Sequence, residues 1–196
     1  MQILSQTLQL YSLVCTKPAQ MHYTQNNMSD SLTHSLLKGL EERARKLEKE
    51  QTKYLRRLRD KNPKKLDETF RRLHDEVFDY VECLECANCC KTVGPRFQKR
   101  DIERIAKHFN MHPKTFRLRY LELDEDDDWV LKKLPCPFLG ADNYCSIYEV
   151  RPKACAEYPH TNVKNMRGHL VMARKNLPHC PAVFEIVEKL RKEYPL

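Results

Sequence analysis

Four of the nine cysteines in this 196-residue chain fall within Cys83–Cys90, CLECANCC. Cys83, Cys86 and Cys89 recur in the spacing C-x-x-C-x-x-C, and Cys90 follows directly. Two intervening residues let a chain curl so that successive thiolates converge on one metal or cluster, at about 2.3 Å from a zinc ion. The spacing also suits the first three ligands of iron–sulfur loops whose last cysteine precedes proline. Cys136-Pro137 and Cys180-Pro181 have that form, with Cys145 and Cys155 between them. The candidate metal ligands are therefore Cys83, Cys86, Cys89, Cys90, Cys136, Cys145, Cys155 and Cys180. They suffice for two four-cysteine sites or for one site with additional thiols. Neighbouring side chains diverge, so either Cys89 and Cys90 serve two centres or one of them packs as a small hydrophobe. No catalytic residue can be named.

Read with CPFLGADNYCSIYEVRPKACAEYP (Cys136 to Pro159), the constellation resembles the CxxCxxCC cysteine-cluster family, described as zinc- or iron-chelating domains. The matching residues are Cys83, Cys86, Cys89 and Cys90, CPFL at Cys136, CSIYEVRP at Cys145 to Pro152, Cys155, and Tyr158-Pro159. The resemblance runs from Cys83 to Cys180, about half of the chain. It implies chelation of zinc or iron and says little about a reaction; the Cys-Pro pairs lean toward iron held as a 4Fe-4S cluster. The cluster is also similar to that of flagellin lysine N-methylase, so a protein-modifying enzyme is an alternative, although no segment is assigned to a methyl donor. Ala87 stands where the family often has glycine, and Ala156 where it often has arginine.

Other residues near the cysteines have two readings each. Arg151 and Lys153 could offset the net negative charge of a thiolate site, or Arg151 could fix the loop through carbonyls. His160 and His179 flank Cys155 and Cys180 and could replace a thiolate. DEDDD (Asp124 to Asp128) lacks the glycine and bidentate glutamate of an EF-hand loop and reads as a solvated turn. Asp101 to Leu121 has the cadence of a helix-turn-helix, giving a metal-stabilised nucleic-acid binder as a further, disfavoured alternative.

The elements that must hold these groups are mostly helical. From Ser31 to Lys61, Leu40, Ala44, Leu47, Tyr54 and Leu58 form a narrow helical stripe with Gln51 as a polar interruption. Asn62-Pro63 ends that helix and caps a second, which carries Leu66, Phe70, Leu73, Val77 and Val81. The two read as an αα-hairpin arm whose stripes cover each other, or as a coiled-coil surface for a protein partner. Ile102, Ile105, Ala106 and Phe109 mark a third helix, Met111 to Leu123 a short fourth, and WVLKKL a short strand. A β-hairpin is expected across Gly140 to Asn143, loop-like chain over 149–180, and a closing helix with Val183, Val187 and Leu190.

The expected fold is thus mainly α with a small β-hairpin: an N-terminal αα-hairpin, then a compact, loop-rich cysteine-cluster metal-binding domain. The expected divisions are 1–27, a disordered extension; 28–82, the helical arm; and 83–196, the metal-binding domain. Met28 is a candidate translation start. The net charge of +8 lies largely within Lys38 to Lys61, a solvated helical face, so nucleic acid is not the expected partner. LQLYSLVC (Leu8 to Cys15) is far short of the ~20 apolar residues of a bilayer span and lacks a preceding cationic segment. A cytoplasmic location is expected, where clustered cysteines bind metal more often than they form disulfides. With only four glycines, and neither a GxGxxG nor a P-loop pattern, nucleotide binding has no local support.

Overall fold

A computed structural model describes residues 31–196; the expectations for residues 1–27, including Cys15, and for Met28 lie outside them. The structure is mainly helical with one small antiparallel sheet, as the sequence pattern predicts. The long first stripe is split. A short α1 (Leu32–Leu37) ends before Gly39, whose φ of 67° is left-handed, and α2 runs from Leu40 to Lys61. Glycine takes this conformation without the steric cost that a Cβ imposes.

Asn62 closes α2 in the left-handed region, its N–H donating to the Leu58 carbonyl at 2.9 Å. Asn62 therefore caps the end of α2 rather than the start of the next helix, and α3 begins at Leu66 and runs to Phe78. The one-turn helices α4 (Cys83–Cys86) and α5 (Asn88–Thr92) follow, then α6 (Lys99–His108) and α7 (Pro113–Tyr120).

The β-hairpin lies earlier than the sequence suggests. Strands β1 (Leu121–Leu123) and β2 (Trp129–Leu131) pair with Leu121 opposite Leu131, across the aspartate-rich turn. Asp124 Oδ1 accepts from the amides of Asp126 and Asp128, which closes that turn locally. Around Gly140 to Asn143 the expected ladder contracts to a single bridge, Leu139 to Cys145. Residues 149–180, expected as loop, contain α8 (Lys153–Glu157) and α9 (Met166–Asn176). The last helix, α10, spans Pro181–Glu193, with proline at its first turn.

Two apolar cores result. The first joins Leu58, Phe70, Leu73 and Val77 to Leu170, Ala173, Val183, Ile186, Val187 and Leu190. Here α2 packs chiefly on α9 and α3 chiefly on α10, so the expected mutual cover of α2 and α3 is replaced by cover from the C-terminal helices. Phe70 is fully buried, and truncating such a side chain to alanine costs about 3–5 kcal/mol. The second core collects Phe97, Ile102, Ile105, Ala106, Phe116, Leu121, Leu131, Phe138 and Ile147. Among the described residues, no helix is long and apolar enough to cross a membrane.

Candidate metal centre

The cysteine loop hangs between the two cores. At its entry, buried Thr33 of α1 accepts from the Glu82 amide at 2.9 Å and donates to the Tyr80 carbonyl at 3.5 Å. Cys83 and Cys86 lie one turn apart on α4 and so share a face. Ala87 then adopts φ 45° and ψ 18°, a left-handed reversal that redirects the chain into α5 with Cys89 and Cys90. Its amide donates to the Cys83 carbonyl at 2.8 Å, and Lys91 Nζ donates to the Cys86 carbonyl at 3.1 Å.

Hydrogen bonds tether the loop on both flanks. On one side the Cys136 amide donates to the Cys90 carbonyl at 2.8 Å, and Asn143 Nδ2 donates to the Glu85 carbonyl at 3.2 Å. On the other, Asn88 Nδ2 donates to the His179 carbonyl at 2.8 Å, and Thr92 Oγ1 lies 3.3 Å from His179 Nδ1. The segment before Cys155 is held by α6. Asp101 is only 2 % exposed; its carboxylate accepts from Arg104 at 2.7 Å and from the Lys153 amide at 3.1 Å. Arg104 also donates to the carbonyls of Val150 and Arg151.

The eight cysteines in the described residues are all free thiols. Burial dominates their ionisation. It pushes Cys136 up to about 11 and Cys155 and Cys180 up to about 12, and it raises Cys86 and Cys145 as well, whereas Cys83 is the exposed thiol of the set. Neighbouring sulfurs add to this. Cys83 and Cys86 raise Cys180, whereas Cys90, Cys136 and Cys145 raise Cys155. Several dipoles and charges act the other way. Amides of Phe138 and Leu139 favour the Cys136 thiolate, those of Val183 and Ala182 favour Cys180, and Arg151 lowers both Cys145 and Cys155. The Cys89 S–H donates to Cys90, which favours the Cys90 thiolate and raises Cys89.

Arg151 fills both roles read from the sequence. Besides its charge, it donates to the Tyr148 carbonyl at 2.8 Å, with its guanidinium 3.7 Å from the centre of the Tyr148 ring. Lys153 instead pairs with Glu157 at 3.5 Å. His179 is occupied by Thr92, and His160 lies edge-on to Tyr158. Three positioning residues, Thr33, Asp101 and Arg104, lie outside the cysteine motifs, and Tyr158 is marked only through the Tyr158-Pro159 match. The i, i+3 acid–base spacing of Asp101 and Arg104 could have flagged that pair. Nothing local marks Thr33.

Tyr158 tests whether the donors suit a metal. Its hydroxyl is buried with no hydrogen-bond partner. The groups that act on it are Cys180, Cys89 and Cys86, and burial with those thiols holds its proton far above the usual phenol value. A buried hydroxyl without a good acceptor costs about 1–3 kcal/mol; the Cys180 sulfur beside this one is a weak acceptor as a thiol and a strong one as a metal-bound thiolate. Soft thiolates suit zinc and iron. Among the described residues, no three His, Cys, Asp or Glu side chains are already gathered as ligands of one ion.

A helical scaffold enclosing a thiol-rich loop of this type is that of a metal-chelating domain. The family model CxxCxxCC, "Putative zinc- or iron-chelating domain", matches residues 82–181. The chain belongs to that family. No curated protein and no solved structure matches it.

Proposed function

We propose that this protein takes up zinc or iron, the latter including a 4Fe-4S cluster, through Cys83, Cys86, Cys89, Cys90, Cys136, Cys145, Cys155 and Cys180. The observation that carries the reading is the double tether of the CLECANCC loop. One flank is bonded to the segment of Cys136, and the other to His179, next to Cys180. Cys83 and Cys86 act on Cys180, and Cys90, Cys136 and Cys145 on Cys155, as thiolates that repel one another, and a bound cation removes that repulsion. The backbone amides at Cys136 and Cys180, with Arg151 and Lys91, offset the negative charge that a tetrathiolate centre retains.

Metal uptake on this reading is coupled to folding of the cysteine-bearing half, because the second core is the smaller one. Anaerobic purification followed by metal and acid-labile sulfide analysis tests the proposal. Brown protein with broad absorption near ~400 nm and sulfide identifies an iron–sulfur cluster, and colourless protein with stoichiometric zinc a structural site. Protein that neither retains nor takes up either metal refutes it.

A further inference from the structure

Three of the thiols sort with the two cores. Cys180 belongs to the first core, and Tyr158 packs against it. Cys136 and Cys145 pack against the second. The CLECANCC loop crosses from one to the other. Asn88, beside Cys89, is bonded to the segment of Cys180, whereas the Cys90 carbonyl is bonded to the amide of Cys136. Asn88 and Cys90, two residues apart, thus lead to opposite cores, with Glu85 also reaching Asn143 on the side of the second, and Cys89 and Cys90 stand at the junction.

From this geometry we infer two separate metal centres, one held by Cys83, Cys86, Cys89 and Cys180 against the first core, the other by Cys90, Cys136, Cys145 and Cys155 against the second. The inference rests on the metal-binding reading above and gives it a stoichiometry and a ligand assignment. The sulfurs that act on one another sort the same way around Cys180 and Cys155: Cys180 feels Cys83 and Cys86, and Cys155 feels Cys90, Cys136 and Cys145, while Cys90, at the junction, also acts on Cys83, Cys86 and Cys89. Each quartet takes three thiols from one stretch of chain and a fourth from another. The first uses the C-x-x-C-x-x-C run and reaches to the N-terminus of α10. The second uses the Cys136–Cys155 segment, held down by Asp101 and Arg104 of α6, and reaches back to the loop. Cys89 and Cys90 join the two centres through a single peptide unit.

Titration of the full-length apoprotein with Co²⁺ under anaerobic conditions tests the division, because thiolate-to-cobalt charge transfer reports each tetrathiolate site as it fills. Two equivalents are expected for the unaltered chain. Cys180→Ser and Cys155→Ser should each lose one equivalent and keep the other, and the double variant should lose both. Saturation at one equivalent in the unaltered chain overturns the two-centre assignment while leaving metal binding intact. That stoichiometry decides the point even where a variant fails to fold. No thiolate-to-cobalt band, together with no zinc, iron or sulfide in the anaerobically purified protein, removes the metal-binding reading itself.

Discussion

The Cys136 amide donates to the Cys90 carbonyl at 2.8 Å. The bond joins the first residue of CPFL to the last residue of CLECANCC through backbone atoms alone, so both sulfurs remain available. A disulfide would have achieved the same proximity by consuming the donors.

Tyr158→Phe should change sign with metal. In the metal-free protein it removes a buried hydroxyl whose near partner is only the weakly accepting Cys180 thiol, so stability should be equal or higher. In the loaded protein it removes a donor to thiolates, and affinity should fall by about 10-fold. Competition with a chromophoric chelator measures the second effect and chemical denaturation the first. The same response in both states would deny Tyr158 a part in the centre.

Ala87→Gly should lie within about 1 kcal/mol of the parent. Relief of a left-handed alanine, about 1–2 kcal/mol, opposes the backbone entropy of glycine, about 0.5–1 kcal/mol, and a lost buried methyl, about 0.8 kcal/mol. Ala106→Gly in the buried middle of α6 has no such relief and should cost about 2 kcal/mol. Urea midpoints of the two variants distinguish them; equal losses would contradict the strain at Ala87.

Asp101→Ala should destabilise by about 2–4 kcal/mol, since it strips acceptors from the Gln98 and Lys153 amides and unpairs Arg104. Asp101→Asn keeps the shape and should recover part of that loss. Hydrogen exchange should locate the loosening at residues 150–157, ahead of and around Cys155. Loosening confined to α6 would mean that the carboxylate only caps its own helix.

His74 supplies a pH dependence. Burial holds its imidazole below the usual value of 6.5, while Nδ1 lies 2.8 Å from Thr161 Oγ1. Above 6.5 both folded and unfolded chains carry it neutral, and it adds no slope. As pH falls below 6.5 the unfolded chain binds the proton first, so stability declines until the lowered folded value is passed. His74→Gln should therefore flatten the decline between pH 7 and pH 5, measured by urea unfolding at each pH. A slope as steep as the parent's would assign the decline to other groups, of which His160, also lowered by burial, is the first to replace.

Local signals in the sequence explain most of what it revealed. The stripes of α2, α3, α6 and α10 were legible because each repeats apolar residues at helical spacing. That of α9 was equally regular, with Met166, Leu170, Ala173 and Leu177 buried, but Gly168 and several cations obscured it. The hairpin was misplaced because Gly140 and Asn143 are strong turn residues, whereas the pairing of Leu121 with Leu131 depends on an aspartate turn and on Phe97 bridging to Trp129.

Donor identity and spacing along CLECANCC follow from covalent order, as do the Cys-Pro pairs and the helical stripes, so thiol-based metal chemistry is readable without coordinates. Which cysteines become neighbours is not. That depends on α9 and α10 returning to cover α2 and α3, on Asp101 pinning the segment before Cys155, and on the reversal at Ala87. Each is a contact between distant positions, or a backbone state imposed by them, and its energy exists only once the helices have packed.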